Sequence, residues 1–189
     1  MCGRYYVDDE TAREIEKLVG QVERRISGDV CPSNEAAVIT GRKPVLSAEM
    51  MKWGFPQYRG NGLLINARSE TVLEKRTFRE SILHRRCVIP AKHFYEWNSS
   101  KEKVTFFRED RAAVFLAGFY NCFGEEDRFM ILTSPANASV EAVHDRMPLI
   151  LEEKEITDWI YENSFLEYAL HKEMPQLKTY QPYSQQSLF

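Results

Sequence analysis

The stretch from Cys87 to Ser134 constrains the fold most. It holds four segments rich in β-branched and aromatic residues, 87–97, 104–108, 112–120 and 129–134, joined by short connections containing Asn98-Ser99-Ser100, Asp110-Arg111 and Gly124-Glu125-Glu126-Asp127. Connections this short leave no room for a crossover helix, so consecutive segments pair antiparallel. Upstream, 36–40, 46–55 and 63–66 read the same way, broken by the turn at 41–44 and the polar loop 56–62. Helical spacing of Ile15, Leu18, Val19, Val22 and Ile26 predicts an amphipathic helix over 9–26, with Asp8 or Asp9 as its N-cap. Shorter helices are predicted over 76–85, 137–143 (capped by Asn137 or Ser139), 152–161 and 165–171, and a last strand over 177–183. Sequential strands with helices set outside them make the class α+β.

The chain has 189 residues, 43% of them hydrophobic and 12% aromatic, enough for one globular domain over 1–189 to hold its core without disulfides or a structural metal. No linker or repeat divides it. The near-apolar run 112–123 is interrupted by Asn121 and is far shorter than the ~20 residues of a membrane span. The amino terminus has no basic and then apolar leader, so a cytoplasmic protein is expected. Its four cysteines, Cys2, Cys31, Cys87 and Cys122, match no CxxC metal site. Cys31, Cys87 and Cys122 read as buried, inert thiols. No metal or other cofactor is implied.

Four features bear chemistry. Cys2 follows the initiator Met, which is normally removed before so small a residue. That leaves a free α-amine, with a pKa of about 7.7–8.0, beside a thiol near 8.5, so each has a reactive fraction at neutral pH. A 1,2-aminothiol can use its thiol as nucleophile with the amine as base, or condense with an aldehyde to a Schiff base and close to a thiazolidine. Asn66 and Arg68 stand at alternate positions of an extended segment, where they can present an amide and a guanidinium to one pocket, or simply end the strand ahead of a cap at Ser69. Glu96, between Tyr95 and Trp97, is a carboxylate set among aromatics, and partial desolvation would raise its pKa toward acid/base use. His144 sits in a loop beside Asp145 and Arg146, which can tune or anchor its ring. His84, His93 and His171 read as surface or packing residues.

Lys75, Arg76, Arg79, Arg85 and Arg86 outnumber Glu74 and Glu80 in a chain of net charge −3. A local basic field of this kind can hold a nucleic-acid backbone or serve as a solvated helix face. Trp53-Gly54-Phe55-Pro56 offers aromatic rings for base stacking or for the core.

Together, Met1-Cys2-Gly3-Arg4, Trp53-Gly54, Asn66-Ala67-Arg68-Ser69-Glu70-Thr71, Cys87-Val88-Ile89-Pro90 with Phe94-Tyr95-Glu96-Trp97, and His144-Asp145-Arg146-Met147-Pro148 resemble the SOS response-associated peptidase family, in its order and over nearly the whole chain. The resemblance implies a single compact α+β domain around a strongly curved, mainly antiparallel sheet with peripheral helices. It implies a sensor of abasic sites in single-stranded DNA that crosslinks to the ring-opened sugar aldehyde through Cys2. In it Asn66 orients the α-amine, Glu96 is the acid/base group and His144 assists the sugar and Schiff-base chemistry. Arg68, Arg76, Arg79, Arg85 and Arg86 would hold phosphates with Arg4 nearby, and Trp53 and Phe55 would pack on exposed bases. It further implies exposure of Cys2 by a peptidase-type step, self-reversal of the crosslink, and association with the nucleoid. A monomer is expected, with replication or repair proteins as candidate partners. One departure is Asp29-Val30-Cys31-Pro32 where relatives carry an Asn-Val-Ala-Pro-like stretch, since a charge at Asp29 would oppose phosphate.

Two other function classes fit part of the pattern. An N-terminal-nucleophile amidohydrolase would use Cys2, with its α-amine as base and Asn66 at the oxyanion. A noncovalent single-strand binding module would use only the basic and aromatic surface.

Overall fold

The computed structural model describes residues 2–20, 22, 26–42 and 44–182. Its strands are β1 (Tyr5–Val7), β2 (Gly28–Val30), β3 (Glu35–Arg42), β4 (Val45–Trp53), β5 (Phe55–Pro56), β6 (Leu63–Leu64), β7 (Asn66–Arg68) and β8 (Arg86–Ala91). There follow β9 (His93–Trp97), β10 (Lys103–Phe107), β11 (Val114–Phe123), β12 (Glu126–Pro135), β13 (Arg146–Pro148), β14 (Ile150–Leu151) and β15 (Lys178–Tyr180). The helices are α1 (Asp9–Val19), α2 (Arg76–His84), α3 (Ile156–Tyr161) and α4 (Asn163–His171).

The larger sheet runs β13-β12-β4-β3-β8-β11-β14, and an added β11–β12 pairing closes β12, β4, β3, β8 and β11 into a ring. Closure removes the open edges and turns the apolar faces inward. Val38, Ile39, Met51, Val88, Ile89, Leu116, Phe119, Phe129 and Ile131 are almost wholly buried there. The smaller sheet runs β15-β10-β9-β1-β2. The expected antiparallel pairing holds for most neighbours; β12 runs parallel to β4 and to β7, because the chain leaves the ring between them and re-enters in the same direction.

Helix α1 starts where Asp8 accepts from the Thr11 backbone and hydroxyl, each at 2.8 Å. It ends at Gly20, whose φ of 81° suits glycine. The predicted continuation to Ile26 therefore fails at that glycine; residues 21 and 23–25 lie outside the described residues. The segment 137–143 is also not a helix. It forms successive turns, with Val140 and Glu141 both donating to Asn137 O and Val143 and His144 to Val140 O. The Asn137 side chain, which accepts from Ser139 N and donates to Met174 O and Pro175 O, caps the turns and ties them to the chain after α4. The last strand is confined to Lys178–Tyr180, and Tyr183 lies outside the described residues.

Candidate functional site

The site forms where the two sheets meet, and main-chain pairing places half of it. In the smaller sheet Tyr5 pairs with Phe94, and Tyr95 N donates to Arg4 O at 3.0 Å. Extending that register sets Glu96 opposite Gly3, next to Cys2. From the other sheet, β7 lies along β12 with Asn66 opposite Ile131 and Arg68 opposite Thr133. Asn66 Nδ2 donates to Cys2 O at 2.9 Å across 64 positions of sequence. Among the described residues, Asn66 Oδ1 is buried without a hydrogen-bond partner, an acceptor held beside the Cys2 main chain.

Burial sets the electrostatics. Cys2 is fully buried. Desolvation first, and the Glu96 charge second, push its thiol well above the ordinary range, against a weak contact from Sγ to Arg4 O. Burial therefore disfavours the Cys2 thiolate in the chain that retains Met1. Glu96 is 3% exposed, and burial raises its pKa against the pull of the amino-terminal charge and of His144. The desolvated carboxylate expected from its aromatic flanks is present. His144 Nδ1 accepts from Arg146 N at 3.0 Å and lies 2.8 Å from Asp145 Oδ1.

In the support of this site Glu70 was not singled out from sequence, and Arg146 only as a neighbour able to tune or anchor the His144 ring. The Arg146 guanidinium forks onto both carboxylate oxygens of Glu70 and donates to Thr133 O at 2.6 Å. That fork holds Glu70 down to about 2, and it ties the segment following Asn66 to the segment following His144. The alternation Asn66, Arg68, Glu70 was the available signal.

The expected DNA-contact residues divide. Arg68, Arg76 and Arg79 are exposed. Arg4 is part-exposed, 3.4 Å from Asp29 and over the Trp97 ring at 5.8 Å. Asp29 also accepts from Tyr95 OH at 3.0 Å, so its charge is engaged by Arg4 and Tyr95. Burial and Asp29 push the Tyr95 phenol up to about 12. Arg85 is half-buried, donating to Tyr120 O and Ser81 Oγ.

Arg86 is 4% exposed and donates to Trp159 O, Ile82 O and Asn163 Oδ1, so it joins helices and holds no phosphate. Trp53 and Phe55 are also buried, which rules out stacking on bases. Trp53 donates to Ile65 O at 3.0 Å and packs on Tyr5 and Phe129, while Phe55 meets Phe119 and Phe123. Gly54 between them has φ 106°, and a Cβ there would press on Leu63 and Ile65. Among the described residues the exposed aromatics include Trp97, next to Glu96, at 39%, and Tyr58, just beyond Pro56, at 98%.

Cys87 is buried as expected, whereas Cys122 is exposed and Cys31 partly so, because strand-end positions left both outside the core. Among the described residues no cluster of His, Cys, Asp and Glu has the geometry of a metal site, and no helix is long and apolar enough to cross a membrane.

Residues 1–187 match the family model described as SOS response associated peptidase (SRAP). The chain is 30% identical over 179 residues to a Bacillus subtilis protein named abasic site processing protein YoaM, covering 85% of this chain and 79% of that one. It is 27% identical over 176 residues to the Escherichia coli protein named abasic site processing protein YedK, covering 85% and 79%. A crystal structure of a Bordetella bronchiseptica protein superposes with a TM-score of 0.83 at 24% identity, covering 97% of this chain and 100% of that one, which extends the likeness to the fold.

Proposed function

The chain belongs to the SOS response-associated peptidase family, and from that premise we propose that it recognises abasic sites in single-stranded DNA and bonds covalently to the ring-opened sugar through Cys2. The observation that carries this reading is the Asn66 amide clamped to the Cys2 carbonyl, its Oδ1 unsatisfied among the described residues, beside the buried carboxylate of Glu96. An amide so placed accepts a hydrogen bond from the Cys2 α-amine once Met1 has been removed, and aims the nitrogen lone pair outward.

The steps follow from the protonation states. The α-amine adds to the aldehyde carbon, forming a C–N bond, and the carbonyl oxygen takes up a proton. Loss of that oxygen as water requires a second proton, supplied by Glu96 or by His144 when it carries two protons, and the iminium N–H then returns a proton to that group to leave the neutral imine. The protonated Cys2 thiol then adds across the imine, sulfur to carbon and its proton to nitrogen, and closes the thiazolidine. Burial makes the thiol a poor first nucleophile, which favours this amine-first order over a thiol-first amidohydrolase. Reversal runs the same steps backward with the same two groups. Removal of Met1, the peptidase-type step, is what uncovers the amine.

Arg68, beside Asn66, and Arg76 and Arg79 on α2 are exposed and serve the phosphates, and Trp97 with Arg4 across its face presents a ring to a base. Intact mass spectrometry tests the reading. Protein that has lost Met1, mixed with single-stranded DNA bearing one abasic site, should give a product whose mass is the sum of the two less one water. Protein and DNA masses that never combine, with Cys2 verified as the first residue, would contradict it.

A further inference from the structure

His144 Nδ1 faces two groups with opposite demands. The Arg146 backbone N–H, 3.0 Å away, needs a lone pair on that nitrogen. The Asp145 carboxylate, 2.8 Å away, needs a proton there. One ring nitrogen cannot meet both at once. What holds the Arg146 main chain in place therefore decides which side of the neutral ring carries its proton.

Arg146 is held on several sides. Its side chain, 7% exposed, forks onto Glu70 and donates to Thr133 O, and its backbone pairs with Pro135 at the end of β12. Ala136 N donates to Asp145 O at 3.0 Å, fixing the main chain just before it. The rival Asp145 side chain is 81% exposed, so water competes for its charge. Resting on the covalent reading above, we propose that Glu70 and Arg146 are positioning residues that keep the proton of neutral His144 on Nε2, making Nε2–H a hydrogen-bond donor to the sugar oxygen during imine chemistry while the ring itself stays neutral.

The charged groups around this ring are Asp145 and Arg146 in its own loop, Glu70 beyond Arg146, and Glu96 from β9, whose ionisation feels both His144 and the amino terminus. Asp145 is the counter-ion for the ring when it carries two protons. The Arg146 contact belongs to the neutral ring. An imidazolium that gave up its Nε2 proton would be left with its proton on Nδ1, facing Asp145, so the Arg146 contact assigns the neutral ring to hydrogen-bond donation and leaves proton transfer to Glu96 or to the doubly protonated ring.

Nitrogen NMR of His144 without DNA reads the tautomer, and adduct formation against pH reads its consequence. The neutral wild-type ring should show an unprotonated Nδ1 and a protonated Nε2. Glu70→Gln, which removes the charge that grips Arg146, should give a mixture of tautomers, slow adduct formation about tenfold and shift the pH profile. Glu70→Asp, with the charge kept at shorter reach, should fall between, and Asp145→Ala should leave the neutral tautomer as in wild type. A wild-type ring protonated on Nδ1, or a folded Glu70→Gln protein with unchanged tautomer and profile, would overturn the proposal. A wild type that forms no adduct counts against the covalent reading instead, and the NMR result still decides the tautomer.

Discussion

The seam around Cys2 and the basic segment around α2 are both built from charged and polar residues, yet they use them in opposite ways. At the seam Glu96 is buried, Asn66 is half-buried and clamped to the Cys2 carbonyl, and Arg146 is locked onto Glu70. Each depends on a partner from a distant part of the chain. On the basic segment Arg76 and Arg79 point to solvent, while Arg86, one strand further, is sunk among backbone carbonyls. The two regions teach that a run of like charges does not identify a binding face. An arginine binds an external phosphate only if the fold has not already filled its donors.

Substitutions on either side can break this contrast. The largest effect is expected at Trp53, where Ala removes a buried ring and should cost about 3–5 kcal/mol of stability by denaturant unfolding. A base-stacking role would instead lower DNA affinity and leave stability intact. Arg86→Ala strands buried carbonyls and should cost about 2–4 kcal/mol, with no change in the salt dependence of DNA binding.

Glu96→Gln should slow adduct formation about 100-fold and also stabilise the protein at neutral pH. The sign follows from burial: Glu96 has a raised folded pKa, so its ionisation costs stability as pH rises through that value, and the amide has no such cost. A Gln variant less stable than wild type at pH 7 would place the carboxylate's worth in structure. At the exposed arginines the effects are smaller. Arg76→Ala or Arg79→Ala should reduce the slope of log affinity against log salt by about 0.7 per lost contact on a single strand, leaving the melting temperature unmoved.

The smallest effect concerns acid. Glu70 has its folded pKa depressed to about 2 from 4.5, so the Arg146 fork contributes stability above 4.5 that is lost as pH falls toward 2. Glu70→Gln should flatten that part of an acid unfolding curve.

Much of the site was legible because five separated motifs together resemble one family, whereas each residue alone also had an ordinary structural reading. Cys2 directly behind Met, Asn66 at a strand, Glu96 among aromatics and His144 beside Asp145 are far apart in the chain, and the fold brings them to one seam. The long strands were legible as β-branched and aromatic runs bounded by short polar connections. The two- and three-residue strands, β1, β2, β13 and β14, were not, since so few residues show no period and their pairing is set by the neighbours. Trp53 and Phe55 misled for a related reason: alternate aromatics at a strand end look alike whether the face is covered or open, and only ring closure through β12 covers this one. The 137–143 segment has helix-like composition, but its capping Asn137 is also bonded to Met174 O and Pro175 O, and tertiary anchoring overrides local propensity.

The central claim is that the seam is a covalent site whose reactive residue is Cys2. Denaturing gel electrophoresis tests it most directly, with Met1-processed protein, single-stranded DNA carrying one abasic site, and Cys2→Ala and Cys2→Ser variants alongside intact DNA. The account predicts a denaturation-resistant shifted band that needs both the lesion and Cys2 and is absent with Ala, while Ser, which keeps the amine but not the thiol, gives only a reversible imine. A band of normal yield with Cys2→Ser, or none from wild-type protein whose amino terminus is verified as Cys2, would contradict it.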